Sequence, residues 1–180
     1  MRMMWATAMI GRMLATVLAT VLATVFATVF ATGPATAAES LGVFERWGAF
    51  RDVPRQRCYA IAEPDTRYQI IDARPFASVA SFPRARVRGQ VHFRLRRMPA
   101  AGARPRLAIG GQRFEMVGSG LNVWAANRAM DAAIVAAMRS SETMAVSVRS
   151  ARGDTMTDRY RLRGAATAID AATLGCARLR

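Results

Sequence analysis

The stretch Arg84-Ala-Arg-Val-Arg-Gly-Gln-Val-His-Phe-Arg-Leu-Arg96 decides how this chain is expected to fold. Its even-numbered positions carry only polar side chains, and its odd-numbered positions carry Ala, Val, Gly, Val, Phe and Leu. Successive side chains of a β-strand point to opposite faces, so the alternation predicts one long strand with a polar and an apolar face. Such a strand is typical of an antiparallel sheet that covers a core on one side.

A β-hairpin is predicted shortly after this strand, over Arg106–Glu115. A Gly-Gly pair at its centre forms a two-residue turn that tolerates positive φ. In that register Leu107 lies opposite Phe114 toward the core. Arg106 lies opposite Glu115 on the outer surface, where opposite charges attract.

The same period of two continues along much of the chain after residue 38. The other predicted strands are Arg46–Arg51, Arg57–Ala62, Pro75–Phe82, Leu121–Ala125, Thr143–Arg149 and Met156–Arg163. A chain with this many short strands is mainly β.

Two segments break the rhythm and are predicted as helices. Arg128–Arg139 follows Asn127, a good N-cap residue, and its apolar side chains fall on one face. Ala165–Leu174 is rich in alanine and precedes Gly175, where a left-handed C-cap fits. The predicted fold class is therefore an antiparallel β-sandwich or partly closed barrel with two short helices, preceded by a signal peptide.

The N-terminus has the order of a secretory signal peptide. Arg2 and Arg12 provide a basic start, and Met13–Thr32 is an uncharged apolar block. Gly33-Pro34 then breaks the helix, and Ala35-Thr36-Ala37 supplies a small-x-small cleavage motif. The sequence therefore predicts a signal peptide over residues 1–38 and a single domain over residues 39–180.

This prediction places the mature chain outside the cytoplasm, in a periplasm or in the medium. The apolar block is longer than the usual signal core of about 7–15 residues and is close to a membrane span. An uncleaved membrane anchor is therefore the alternative to a cleaved signal.

Arginine dominates the charge of the chain. All 26 basic residues are Arg, and the formal net charge is +14. Every acidic residue lies after residue 38, so loss of Arg2 and Arg12 with the signal peptide leaves +12. Because Lys is absent, Schiff-base chemistry, a phosphate-loop Lys and a Ser-Lys dyad are excluded.

Two cysteines, Cys58 and Cys176, lie in the predicted mature domain. In an oxidising compartment two cysteines most often form a disulfide. Such a bond would join an early strand to the C-terminal region. Two buried free thiols are the alternative.

No motif for catalysis, a cofactor or a metal stands out in the sequence. The single histidine, His92, is surrounded by arginines, which would lower its pKa and keep it neutral. Gly118-Ser-Gly120 lacks the strand-turn-helix setting of a nucleophile and is predicted to be a turn. Trp47 and Trp124 are expected to lie in or beside the core. The carboxylates Asp131, Asp154, Asp158 and Asp170 show no paired spacing.

The polar face of the opening stretch is the candidate binding surface. Arginine presents a planar fork that suits phosphate and carboxylate groups. Outside the cytoplasm the available anions are anionic lipid, lipopolysaccharide and acidic glycans, and nucleic acid is not an expected partner. A solvated outer face without a ligand is the simpler alternative, and the sequence does not identify a protein partner. The candidate anion-binding residues are Arg84, Arg86, Arg88, Arg94 and Arg96.

Several segments together resemble a known protein family. They are Trp47-Gly-Ala-Phe50, Arg57-Cys-Tyr-Ala-Ile-Ala-Glu-Pro64, Val123-Trp124, Met130–Met138, Met144–Val148 and Tyr160-Arg-Leu-Arg-Gly-Ala-Ala-Thr-Ala-Ile-Asp170. In this combination the chain resembles the invasion-associated locus B family of alphaproteobacterial exported proteins. The resemblance implies a signal peptide and a compact β-rich domain, and it implies no known reaction. Family members often carry a Cys soon after the opening Trp, whereas this chain has Phe50 and Arg51 there.

The sequence as a whole therefore favours an exported, non-enzymatic envelope protein that acts as a binding or structural module. A role in host or surface interaction is what the resemblance adds. The alternatives are a small exported hydrolase that uses carboxylates which the sequence does not pair, and an envelope protein anchored by its uncleaved N-terminal helix.

Overall fold

In a computed structural model of the chain, the structure describes residues 38–65, 72–177 and 179. Within these residues the chain forms eleven β-strands and two α-helices. The strands are β1 (Glu39–Phe44), β2 (Trp47–Asp52), β3 (Arg57–Ala62), β4 (Phe76–Phe82), β5 (Val87–Arg94), β6 (Arg106–Ile109), β7 (Gln112–Glu115), β8 (Val117–Ser119), β9 (Asn122–Trp124), β10 (Thr143–Arg149) and β11 (Thr155–Arg161); the helices are α1 (Arg128–Ser140) and α2 (Ala165–Ala177).

The strands form two antiparallel sheets. The larger sheet has the order β1-β2-β3-β4-β5-β9-β8, and the smaller has the order β11-β10-β6-β7. The predicted mainly β class with two short helices is confirmed, and of the two predicted architectures the structure has the sandwich. The predicted signal peptide lies outside the described residues.

The core lies between the sheets, and the period of two explains which residues fill it. Val91, Phe93 and Leu95 are at most 1% exposed. The Phe93 ring contacts the ring of Tyr160 on β11, with the ring centroids 5.9 Å apart. Helix α2 packs against β1, β2, β3 and β4, whereas α1 packs against β5, β6 and β7.

The free edge of β11 is capped by groups from the larger sheet and its loops. Backbone carbonyls on an exposed edge otherwise remain open to pairing with another strand. The three hydrogen bonds run from Trp47 Nε1 to Arg161 O at 2.9 Å, from Asp65 N to Arg159 O at 2.8 Å and from Arg96 Nη1 to Thr157 O at 3.2 Å. These bonds join the two sheets along one side of the sandwich.

The predicted hairpin is confirmed with its register. Leu107 pairs with Phe114 and Arg106 pairs with Glu115 across β6 and β7, and both turn glycines have positive φ. The expected attraction between Arg106 and Glu115 is not an ion pair in the structure. Glu115 forms its ion pair with Arg104 instead, at 3.0 Å.

The cysteines form the predicted disulfide. Cys58 lies on β3 and Cys176 lies in α2, and their Cα atoms are 5.6 Å apart. The bond fixes the last turn of α2 to the inner face of the larger sheet. Both residues belong to the buried core.

The second predicted helix ends in a different way. The chain does not leave the helix at Gly175, because α2 continues through Cys176 to Ala177. Gly175 instead lies where Leu41 of β1 packs so closely that a Cβ atom would overlap its side chain. The glycine therefore serves helix–strand packing and not a left-handed cap.

Candidate functional site

The first three candidate arginines lie at a hairpin end and not along a strand. Strand β4 ends at Phe82, Pro83–Arg86 forms the turn, and β5 begins at Val87. The prediction of one continuous strand over residues 84–96 is therefore wrong at its start. The alternation of polar and apolar residues over 84–86 does not reflect a strand, because side chains in a turn do not point alternately to the two faces of a sheet.

A β-bulge also interrupts the predicted row. The β4–β5 register shifts between Ala80 and Phe82, and Gly89 on β5 has a φ of +67°. A bulge adds one residue to one strand and changes the direction of its side chains. Arg86 and Arg88 are thereby separated from the regular face that begins at Gln90.

The last two candidate arginines lie elsewhere. Arg94 is on the regular outer face of β5, in register with Phe76. Arg96 lies beyond the end of β5 and binds Asp158 through Nη1, at 2.6 Å, with side-chain exposures of 11% and 2%. The expectation of a single arginine face over all five residues is therefore wrong, because Arg96 serves a buried ion pair between the sheets.

Most carboxylates of the chain have an arginine partner. Ten of the twelve acidic residues form an ion pair with an arginine of the described ranges. Arg84, Arg86 and Arg88 have no such pair with any carboxylate of the described residues. We call these three residues the hairpin cluster, and no carboxylate in the described part of the chain neutralises its positive charge.

A cavity of about 610 Å³ lies beside the hairpin cluster. It is formed between the end of the β4–β5 hairpin and the C-terminal turns of α2. Its lining residues are Ser81, Pro83, Arg86, Val87, Arg88, Thr173, Leu174, Cys176 and Ala177. We call it the hairpin cavity; it combines an apolar wall with two arginines, and none of its described lining residues is acidic.

The hairpin is held in place by helix α1. Arg128, the first residue of α1, donates from Nη2 to the backbone carbonyl of Arg86 at 2.8 Å. Arg86 itself has a φ of +54°, a left-handed conformation that is uncommon for a residue with a side chain. The bond from Arg128 therefore stabilises the turn that presents the cluster. The helix start is as predicted, because the Asn127 side chain accepts a hydrogen bond from Met130 N at 2.9 Å.

The carboxylates considered for catalysis do not converge. Asp154, Asp158 and Asp170 each bind an arginine; they pair with Arg97, Arg96 and Arg139 respectively. Hydrogen bonds from Ser150 and Arg97 lower the pKa of Asp154, and the hydrogen bond from Arg139 lowers that of Asp170. Groups with lowered pKa values stay ionised, which is unfavourable for a general acid.

Asp131 differs from Asp154 and Asp170 because its pKa is raised. Burial raises its pKa, although the carboxylate accepts a hydrogen bond from Val91 N at 2.8 Å, which opposes the rise. Strand β9 is short and pairs with β5 only from His92 to Arg94, so it does not reach the Val91 amide. The Asp131 carboxylate accepts the hydrogen bond of that amide, and its role is therefore structural. One shallow cavity does contain two carboxylates, Glu45 and Glu63, but each of them has an arginine partner.

His92 belongs to an aromatic cluster that the sequence did not predict. Its ring stacks on Trp124 with centroids 4.9 Å apart, and Phe76 meets it edge-on at 5.2 Å. Burial lowers the pKa of His92 and Arg94 lowers it further, while the hydrogen bond to Asn122 opposes the shift. The sequence placed His92 on the polar face of β5. It did not predict the contact with Trp124, because that contact depends on the pairing of β5 with β9, which is distant in sequence.

The two tryptophans divide between core and surface. Trp47 is completely buried, and Trp124 is half-buried on the outer face of the larger sheet. Gly118 and Ser119, predicted as turn residues, belong to β8, and the turn follows at Gly120. Within the described residues no group of three His, Cys, Asp or Glu side chains could hold a metal ion.

A second basic surface lies on the outer face of the smaller sheet. Its floor contains Ala108 and Ala145, which are paired across β6 and β10. Its arginines have no ion pair with a described carboxylate, and the sequence placed one of them, Arg106, on the outer surface of the predicted hairpin. These arginines are Arg106, Arg113, Arg149 and Arg159.

The possible membrane anchor remains a prediction. Neither helix of the described ranges is long and apolar enough to cross a bilayer. Residues 1–37, which contain the apolar block, lie outside these ranges.

Comparison with known proteins gives one informative likeness. No protein family model matches the sequence, and no curated protein matches it. Among solved structures the chain is similar to the crystal structure of invasion associated protein B from Bartonella henselae, with a TM-score of 0.52 and 15% sequence identity. The match covers 77% of this chain and 97% of that chain. The described domain is therefore similar in fold to an invasion-associated bacterial protein.

Proposed function

We propose that this chain is an exported protein of the bacterial envelope that binds anionic lipid through the hairpin cluster and catalyses no reaction. The signal-like N-terminus and the disulfide support export, because disulfides persist in oxidising compartments. The similarity in fold to an invasion-associated protein supports an envelope-related role.

The observation that carries the proposal is that Arg84, Arg86 and Arg88 lie beside an apolar cavity and form no ion pair within the described residues. Elsewhere ten of the twelve acidic residues are used in ion pairs with arginines. Guanidinium groups form bidentate hydrogen bonds with phosphate, and each basic residue near an anionic lipid surface contributes about 1 kcal/mol.

Lipid fits this surface better than a glycan does. A glycan presents hydroxyl and carboxylate groups throughout and gains little from an apolar wall. An anionic lipid offers both a phosphate for the arginines and hydrocarbon for the wall. A surface of this kind, with apolar side chains between basic ones, is typical of proteins that lie on membranes.

The test uses the exported protein, purified from the envelope fraction after intact mass has established its N-terminus. Binding is measured by sedimentation with vesicles of equal parts phosphatidylglycerol and phosphatidylcholine. The test variant is Arg84→Ser/Arg86→Asn/Arg88→Ser, since Asn tolerates the left-handed conformation at residue 86. The matched control, Arg106→Ser/Arg113→Ser/Arg149→Ser, removes the same charge from the other basic surface.

We expect the hairpin variant to lose about 100-fold in affinity, from three contributions of about 1 kcal/mol each. The control should lose much less, and binding of the unaltered protein should weaken steeply from about 50 to 200 mM salt. Equal losses in both variants would show that net charge alone attracts the protein. Tight binding to an acidic polysaccharide but not to the vesicles would overturn the choice of lipid.

A further inference from the structure

We infer that the hairpin cavity holds the acyl chain of one anionic lipid, whose phosphate lies on Arg86 and Arg88. The inference rests on the proposed function and makes it more specific. The protein would then bind a lipid monomer, with part of its chain withdrawn from the bilayer, and would not merely adhere to a charged surface.

The apolar wall of the cavity includes a leucine that the domain leaves uncovered. Leu174 is 71% exposed, although it lies on α2, whose opposite face is buried in the core. Pro83, Val87 and Ala177 line the same space. A hydrocarbon chain in the cavity would remove this apolar surface from water, which is favourable in proportion to the area covered.

The hydroxyl groups of the lining are already used by the protein. Ser81 Oγ accepts a hydrogen bond from Gly89 N at 3.2 Å, and Thr173 Oγ1 donates to the carbonyl of Ile169 at 2.8 Å. An apolar ligand therefore would not strip these groups of their partners, which is the usual cost of covering polar atoms. Among the lining residues that the structure describes, the charged side chains that can bind a ligand are Arg86 and Arg88.

The floor of the cavity is rigid. Cys176 lines it and is bonded to Cys58 of β3, so the last turn of α2 cannot move away from the sheet. On the other side Arg128 fixes the hairpin through the carbonyl of Arg86. Because the last turn of α2 and the hairpin are both held in place, the cavity loses little conformational freedom when it binds a ligand.

The size and charge suit one amphiphile with a single chain. The volume of about 610 Å³ lies within the range of about 300–1,000 Å³ that is typical of small-molecule sites. Two guanidinium groups at the hairpin end match the charge of one phosphate monoester. Charge complementarity thus sets the orientation, with the head group at the hairpin and the chain along α2.

The probe is lauroyl lysophosphatidic acid at concentrations below those at which it forms micelles. Glycerol 3-phosphate presents the same head group without the chain. Binding is measured by titration calorimetry and stoichiometry by native mass spectrometry, again with the exported protein. We expect one bound lipid per chain and an affinity for glycerol 3-phosphate at least 100-fold lower.

Two matched variants locate the chain. Leu174→Gln changes an exposed leucine of the cavity, and Val43→Gln changes a residue on β1 that is 72% exposed and does not line it. Both sites are exposed, so neither change should prevent folding, which circular dichroism checks. Leu174→Gln should weaken lipid binding at least 10-fold, and Val43→Gln should leave it unchanged.

The outcomes separate this inference from the proposed function. If lysophosphatidic acid and glycerol 3-phosphate bind equally and both depend on Arg86 and Arg88, the acyl-chain site is refuted and the anion site stands. If both glutamine variants weaken lipid binding equally, the chain lies elsewhere. If neither the soluble lipid nor the anionic vesicles bind, both proposals fail.

Discussion

Removal of the disulfide is expected to cost this domain a large part of its stability. Cys58 and Cys176 are separated by 118 residues, so their bond closes most of the described domain into one loop. In the loop-entropy description a loop of this length stabilises the folded state by about 5 kcal/mol at 25 °C. Small domains are stable by only about 5–15 kcal/mol, so the reduced protein should be close to its limit.

The assay is urea unfolding of three samples at pH 7: the oxidised protein, the same protein with reductant, and Cys58→Ala/Cys176→Ala. Both treatments open the same loop, so both should lower the free energy of unfolding by about 3–5 kcal/mol. The slope of unfolding free energy against urea should rise, because the unfolded chain without the bond exposes more surface.

Two results would contradict the expected role of the disulfide. A loss below about 2 kcal/mol in both samples would show that loop closure is not the main effect of the bond. Alkylation of the protein unfolded in urea without reductant should leave its mass unchanged, and a mass increase at either cysteine would show that the bond is not formed.

Three further predictions concern buried polar groups. As the single histidine, His92 should give one imidazole signal in NMR that titrates below its ordinary pKa of 6.5. Because the unfolded chain gains the proton first, stability should fall as pH drops below 6.5, and an equal fall in His92→Gln would contradict this. Trp47→Phe removes the donor to the carbonyl of Arg161 and should cost about 2–3 kcal/mol in urea unfolding; no loss would contradict that role. Asp158→Asn should cost about 3–5 kcal/mol because it removes one charge of a buried ion pair, and a loss under about 1 kcal/mol would refute this.

The parts of the fold that the sequence predicted are those set by local patterns. Val91, Phe93 and Leu95 point into the core because a pleated strand alternates, whatever it pairs with. The Gly-Gly hairpin and the Asn127 cap likewise depend on neighbours within a few residues. For the same reason the mainly β class was predicted correctly, since it follows from many such strands, whereas the choice between a sandwich and a partly closed barrel was left open.

The parts that were missed depend on contacts between distant residues or on departures from the period. Strand β1 has no alternation to detect, and its register with β2 shifts between Ser40 and Gly42. The bulge at Gly89 changes the phase of β5 in a way that a period-two pattern does not record. Gly175 looks like a helix end from its neighbours alone, because the close contact with Leu41 is far away in sequence.

The candidate site shows the same division. The hairpin cluster was named from the sequence, but its separation from Arg96 was not, because the partner Asp158 lies 62 residues further along the chain. The hairpin cavity arises where Ser81 meets the last turns of α2, which no short motif encodes. The sequence therefore predicted that the site is basic, but it did not predict the cavity beside the arginines.

The capped edge of β11 limits how folded copies of this domain could polymerise. A strand whose outward carbonyls are already bonded offers little to a strand from another molecule. Polymer growth by strand addition would have to begin at β1, β7 or β8, of which β7 has four residues, β8 has three and β1 carries a bulge. Loss of the Trp47 or Arg96 bond would free one of these carbonyls on the seven-residue strand β11, so variants at these positions should form fibrils more readily than their loss of stability alone implies.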